Sequence, residues 1–136
     1  PVAIAGFQIR DVHPQRRWLN VPETLVHSSN IVTARISDDL GIARMQQLME
    51  ALEFRNRPHI EIKERAKPIW PKSWGRLTNM TVGFGHGIAV TPLHLASAYA
   101  ALVNGGVWRP ATLLKVDGAL PKGRQVFKPA TSARMR

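Results

Sequence analysis

The sequence contains no cysteine. Disulfide staples, a thiolate metal site and a cysteine nucleophile are therefore excluded, while the compartment stays open. A long apolar run is also missing. The most apolar stretch, Gly87 to Val103, is interrupted by Thr91, Pro92, His94 and Ser97, which reads as a buried helix and not a membrane span. Negative charge is scarce: 19 Lys and Arg stand against nine Asp and Glu, a formal net charge of +10. Such an excess attracts polyanions or an acidic partner. The basic residues are scattered, however, without a recognition-helix stripe or interleaved aromatics, so they read as a solvated surface and no specific nucleic acid is expected. The five histidines (His13, His27, His59, His86, His94) form no pair at i, i+3 or i, i+4, so neither a metal nor another cofactor is expected. Pro1 to Phe7 carries no initiator Met and no basic segment; it is not a signal peptide and reads as the start of an excised piece.

What is present suits one folded domain. The 136 residues are 44% apolar, enough for a core. Residues 2 to 12 predict a short strand or extended segment. Pro22 and Glu23 open a short helix ending near His27, with Leu25 and Val26 facing inward. A helix is predicted over 31–40 with Gly41 as its stop. A more amphipathic one follows over 42–54, with Met45, Leu48, Met49 and Leu52 on one side. From Arg55 to Thr81, Pro58, Pro68 and Pro71 predict a long connection. Thr91 and Pro92 predict the start of a core helix running to about Val103, ended by Asn104-Gly105-Gly106. Beyond it, 107–116 reads as extended, Gln125-Val126-Phe127 as a short strand, and Thr131 or Ser132 as a final N-cap.

Two stretches carry chemistry. Ser28-Ser29-Asn30 packs two hydroxyls and an amide into a helix entry, where they can satisfy free N–H groups or present donors to a ligand; read alone, the triplet is a helix cap. Gly83-Phe84-Gly85-His86-Gly87 lacks the spacing of a dinucleotide loop and has no Gly-Lys-Ser/Thr, so its glycines read as needed for close backbone packing.

Read together, these stretches change the reading of the triplet. Ser-x-Asn after a short Pro-Glu helix is followed by Gly-x-Gly-x-Gly, then Val90-Thr91-Pro92-Leu93, Ala98-Tyr99-Ala100 and Asn104-Gly105-Gly106. This order resembles the transpeptidase domain of class B penicillin-binding proteins, most of all the septal cell-division type. Arg17 through Asn30, Thr81 through Val107 and Val126 through Met135 match in order. The resemblance implies an α/β (α+β) fold, an antiparallel sheet flanked by helices, represented here by a mainly helical part with a few short strands. It implies a serine-type D,D-transpeptidase that cross-links peptidoglycan stem peptides and is acylated by penicillin. By the same resemblance Ser28 relays a proton to the leaving group. Asn30 positions the nucleophile motif's Lys and binds the substrate amide carbonyl, and Ser29 has no assigned role.

The family's other two motifs are missing. No Ser-x-x-Lys precedes Ser28, no Lys-Thr-Gly or Lys-Ser-Gly follows it, and Lys72-Ser73-Trp74 lacks the glycine. Residues 1–136 are thus expected to form a partial transpeptidase domain that is inactive by itself. It would belong to the periplasmic part of an inner-membrane-anchored bacterial protein whose anchor lies elsewhere. Its expected partners are stem peptide and β-lactams in the intact protein, division-machinery proteins, and other copies of itself through exposed apolar faces. The alternative is a non-catalytic module of this fold that binds a protein or polyanion through the 55–80 segment and its basic surface. Salt-sensitive heparin binding, with no flanking motifs in the gene, would favour it.

Overall fold

The chain begins with a hairpin in which β1 (Val2–Ile4) pairs antiparallel with β2 (Phe7–Ile9) in the register Val2↔Ile9, Ala3↔Gln8, Ile4↔Phe7. Ala5 and Gly6 form a two-residue turn with both φ angles positive, the turn whose twist matches paired strands. The computed structural model describes residues 2–136 and divides into two compact units: Pro1–Gln46 with Trp70–Ala89, and Gln47–Ile69 with Val90–Arg136. The architecture is mainly helical with few short strands, as expected from the sequence.

In the first unit the hairpin is followed by α1 (Val21–His27), α2 (Asn30–Leu40), the start of α3 (Ile42–Ala51) and α4 (Arg76–Val82). Asn20 and Glu23 close a capping box at the entry of α1. Contrary to expectation, Leu25 and Val26 are 67% and 79% exposed, and the buried residue of this helix is Thr24. Seven residues give one apolar stripe no room to repeat, so the packing partner and not the pattern chose the buried side. The core gathers Ile9, Ala34 and Met80, with Val2, Ile4, Ile31 and Phe84 packed against them.

The helix α4 replaces the last part of the predicted connection. Its signal was Leu77, Met80, Thr81 and Phe84 at i, i+3, i+4 and i+7, hidden by its shortness and the prolines before it. Buried Asn79 ties it to α2 by donating to the Ser37 carbonyl at 2.6 Å, while its Oδ1 accepts from the Trp74 indole at 3.1 Å. Arg76 holds Asp38 through two hydrogen bonds of 2.8 and 2.6 Å.

The second unit contains the end of α3, α5 (Pro92–Val103), β3 (Val107–Trp108), β4 (Arg124–Gln125) and α6 (Pro129–Arg134). The entry of α5 is the predicted one, with a refinement: His94 occupies the box position normally filled by Glu or Gln. Its Nδ1 accepts from the Thr91 N–H at 3.1 Å, so the neutral ring carries its proton on Nε2 and donates to the Asn56 carbonyl at 2.8 Å. The helix buries a narrow stripe, His94, Ala98 and Ala101, and leaves Leu95, Tyr99 and Val103 largely exposed. It is less enclosed than its composition predicts, because small residues allow close approach on one side only. Ser132 does not cap α6. It lies inside that helix, buried, and its hydroxyl accepts from the Gly105 N–H at 2.9 Å.

A charged cluster closes α3. Glu53 accepts from Asn56 at 2.7 Å and pairs with Arg124 at 3.0 Å and His59 at 3.5 Å. Arg124 also lies over the Trp108 ring, 5.2 Å from its centroid. Burial raises the Glu53 pKa, yet hydrogen bonds from Asn56, Arg124 and His59 together hold it below its ordinary value of 4.5. A depressed carboxylate stabilises the fold above its unfolded pKa, and that contribution disappears as pH falls through the folded value. Glu53→Gln is therefore expected to flatten the stability loss between about pH 5 and pH 3. Thermal melts that decline in parallel for both proteins over that range would refute the assignment.

Candidate active site

The Ser-Ser-Asn triplet joins α1 to α2 with no linker, and each of its residues has a separate backbone task. Ser28 closes α1 in the left-handed region (φ 51°, ψ 49°). Its N–H donates to the Leu25 carbonyl at 3.3 Å and the Ser29 N–H to the Thr24 carbonyl at 3.1 Å, the pair of bonds that completes a Schellman turn. Ser29 is the N-cap of α2, accepting from the Val32 N–H at 3.2 Å, and it is buried. Asn30 is the first residue of α2, whereas the predicted helix began one residue later. The capping expectation thus holds, but the cap is Ser29, the residue without an assigned role.

Glycine usually occupies the left-handed position of such a turn. The same motif closes α3, again on a non-glycine: Glu53 has φ 64°, with Glu53 N–H to Glu50 carbonyl at 2.9 Å and Phe54 N–H to Met49 carbonyl at 3.0 Å. There the side chain offsets the strain through its three partners. Ser28 is different. It is exposed, and its hydroxyl has no hydrogen bond among the described residues.

Asn30 lies on a cleft of about 580 Å³ whose lining also includes Ile9, Arg10, Thr81, Phe84 and His86; Ser28 is not part of that lining. The Asn30 amide is fixed from outside the helix, Nδ2 donating to the Arg10 carbonyl at 3.1 Å. With Nδ2 so directed, Oδ1 is presented as an acceptor and one Nδ2 hydrogen remains. The next residue, Asp11, reaches the same turn: its carboxylate accepts from the Ser29 hydroxyl at 3.1 and 3.0 Å and from the Ile31 N–H at 2.9 Å. A carboxylate at this end of α2 also matches the positive end of the helix dipole. Arg10 and Asp11 escaped the sequence reading because a contact across about twenty residues has no local periodicity.

The glycine-rich segment forms the opposite side of the α2 packing and part of the cleft. Gly83 needs its missing side chain: an added Cβ would sit 1.9 Å from the Ser37 hydroxyl oxygen and 2.9 Å from Ser37 Cβ. Gly85 and Gly87 have open space and are instead required by positive φ angles of 89° and 87°. The packing explanation therefore applies to the first glycine, and backbone handedness to the other two. His86 is exposed and stacks on Phe84, with ring centroids 6.5 Å apart. No cluster of metal-ligating side chains occurs among the described residues.

Solved structures share this fold. A peptidoglycan glycosyltransferase from Burkholderia ambifaria superposes with a TM-score of 0.91 at 28% identity, covering 99% of this chain and 43% of that one. The apo transpeptidase domain of Burkholderia pseudomallei penicillin-binding protein 3 superposes with a TM-score of 0.78 at 28% identity, covering 84% of this chain and 35% of that one. The fold is therefore that of a penicillin-binding transpeptidase domain. The chain belongs to this family, whose model, the penicillin binding protein transpeptidase domain, matches residues 2–136. Among named relatives, the "Probable peptidoglycan D,D-transpeptidase FtsI" of Caulobacter vibrioides is 40% identical over 136 residues, which cover 99% of this chain and 23% of that protein. The chain thus spans about a quarter of the length of this curated relative. No helix among the described residues is long and apolar enough to cross a membrane.

Proposed function

We propose that the chain forms one wall of a peptidoglycan D,D-transpeptidase, the part carrying the Ser-x-Asn motif, in a longer protein that supplies the Ser-x-x-Lys nucleophile and the Lys-Thr-Gly strand. The reaction is acyl transfer from a D-Ala-D-Ala stem peptide. The nucleophilic serine attacks the penultimate carbonyl, the terminal D-Ala leaves as an amine that must gain a proton, and a second stem peptide takes the acyl group. Ser28 is assigned the relay of that proton. Asn30 holds the nucleophile motif's lysine through Oδ1 and the substrate amide carbonyl through the remaining Nδ2 hydrogen. The intact protein is accordingly a β-lactam target, with a periplasmic catalytic domain anchored in the inner membrane and division-machinery proteins as partners.

The observation that carries this reading is the exposed hydroxyl of Ser28, without a hydrogen bond among the described residues, at a backbone position that favours glycine. A hydroxyl that makes no bond within the described fold is available to a substrate. The relatives' names and the family match support the same reaction class.

Without the nucleophile the 136-residue polypeptide should not react. Incubated with a fluorescent penicillin, it is expected to give no covalent band. It is also expected to scatter light as a dimer or larger, since Trp18 (88% exposed), Leu113 and Leu114 present apolar surface. A stable adduct would defeat the assignment of the nucleophile to another segment, and a monomeric mass at high concentration would defeat self-association.

A further inference from the structure

Resting on that reading, we infer that Asp11 is a positioning residue of the Ser-x-Asn wall, acting through Ser29. The end of β2 grips three consecutive residues of the α1–α2 junction. The Arg10 carbonyl takes the Asn30 amide at 3.1 Å, and the Asp11 carboxylate takes the Ser29 hydroxyl at 3.1 and 3.0 Å and the Ile31 N–H at 2.9 Å. These partners are 18 to 20 residues away in sequence, so the grip is tertiary and not part of either helix.

The junction needs such a grip. Ser28 is held left-handed with no bond from its own side chain among the described residues, and Asn30 is at the first turn of α2, where the backbone N–H groups have no intrahelical acceptor. Ser29 lies between them and is 1% exposed. Its hydroxyl donates to Asp11 while accepting from the Val32 N–H, so one buried side chain couples the carboxylate to the helix entry. Fixing Ser29 fixes the backbone on both sides of it, and with that backbone the Ser28 hydroxyl and the Asn30 amide. Ser29, which the motif leaves unspecified, thereby acquires a role: it is the handle by which Asp11 orients the other two.

A misplacement of about 1 Å at reacting groups can cost on the order of 10²-fold in rate. In the full-length transpeptidase, Asp11→Ala is expected to lower the penicillin acylation rate constant at saturation by about 10- to 100-fold, while the apparent noncovalent affinity changes less than about threefold. Asp11→Asn keeps an oxygen able to accept from Ile31 and Ser29, and is expected to acylate within about threefold of wild type. A carboxylate that served only the fold would not give that split between acylation rate and affinity. Asp11→Ala reacting at the wild-type rate, or Asp11→Asn as slow as Asp11→Ala, overturns the inference. Should Asp11→Ala fail to fold, Ser29→Ala replaces it, with about a tenfold slower acylation expected and a wild-type rate overturning the inference. A wild-type protein that penicillin does not acylate would instead remove the functional reading itself, a result distinct from a reactive wild type with an equally reactive variant.

Discussion

In the full-length transpeptidase, Ser28→Gly is expected to reduce acylation by penicillin by about 10²- to 10³-fold, the range of a lost proton-transfer group, while leaving the fold as stable or more so. The two effects have opposite signs because they arise from different atoms. The hydroxyl is exposed and without a hydrogen bond among the described residues, so the folded state loses no contact with it. The backbone, at φ 51°, is relieved of a left-handed penalty of about 1–2 kcal/mol. The greater freedom of glycine in the unfolded chain returns about 0.4–1 kcal/mol, leaving a net gain of about 0.5–1 kcal/mol. A fluorescent-penicillin time course and a thermal melt on the same preparation read both quantities. Wild-type acylation would refute the relay assignment. Loss of activity together with a large drop in melting temperature would mean that Ser28 serves the fold and not the reaction.

Gly106→Ala is expected to be the most damaging of the glycine substitutions, costing on the order of 4 kcal/mol. Gly106 has φ 93°, and a Cβ there would sit 2.0 Å from the Phe127 carbonyl oxygen and 2.7 Å from the Gln125 side-chain nitrogen. Its own carbonyl accepts from the Val126 N–H at 2.8 Å and the Phe127 N–H at 3.1 Å, so the two segments cannot separate without losing both bonds. A forced positive φ costs about 1–3 kcal/mol, and inserted bulk against atoms that cannot move adds about 1–3 kcal/mol more. Domains are stable by only about 5–15 kcal/mol in total, so this variant should approach unfolding at ordinary temperature. Gly85→Ala is the comparison within the same measurement: it shares the positive φ but has open space, and urea unfolding should show the smaller loss. Equal losses for the two would mean that backbone handedness and not the Phe127 contact dominates.

The legible parts of the site were those encoded within a few residues. The Thr91-Pro92 entry of α5 was readable because a cap and its donor are three residues apart. The Ser-x-Asn motif and the glycine-rich segment were readable as a resemblance, since their residue types recur in order. The burial of Thr24 in place of Leu25 and Val26 was not readable, nor was the helix α4 among its prolines, because short elements take their orientation from what they meet.

Local chemistry therefore determined a great deal: a cysteine-free, basic chain whose most apolar stretch is interrupted by polar residues, mainly helical, with two hydroxyls and an amide at one helix junction. Tertiary structure decided how those three residues divide the work. It made Ser29 the buried cap, left the Ser28 hydroxyl exposed on a left-handed turn, and fixed the Asn30 amide on the Arg10 carbonyl. The physical reason is reach. Capping and turn chemistry act over three or four residues and leave a pattern in the sequence, whereas the hydrogen bonds donated to the Arg10 carbonyl and the Asp11 carboxylate exist only once the hairpin has folded back onto α2.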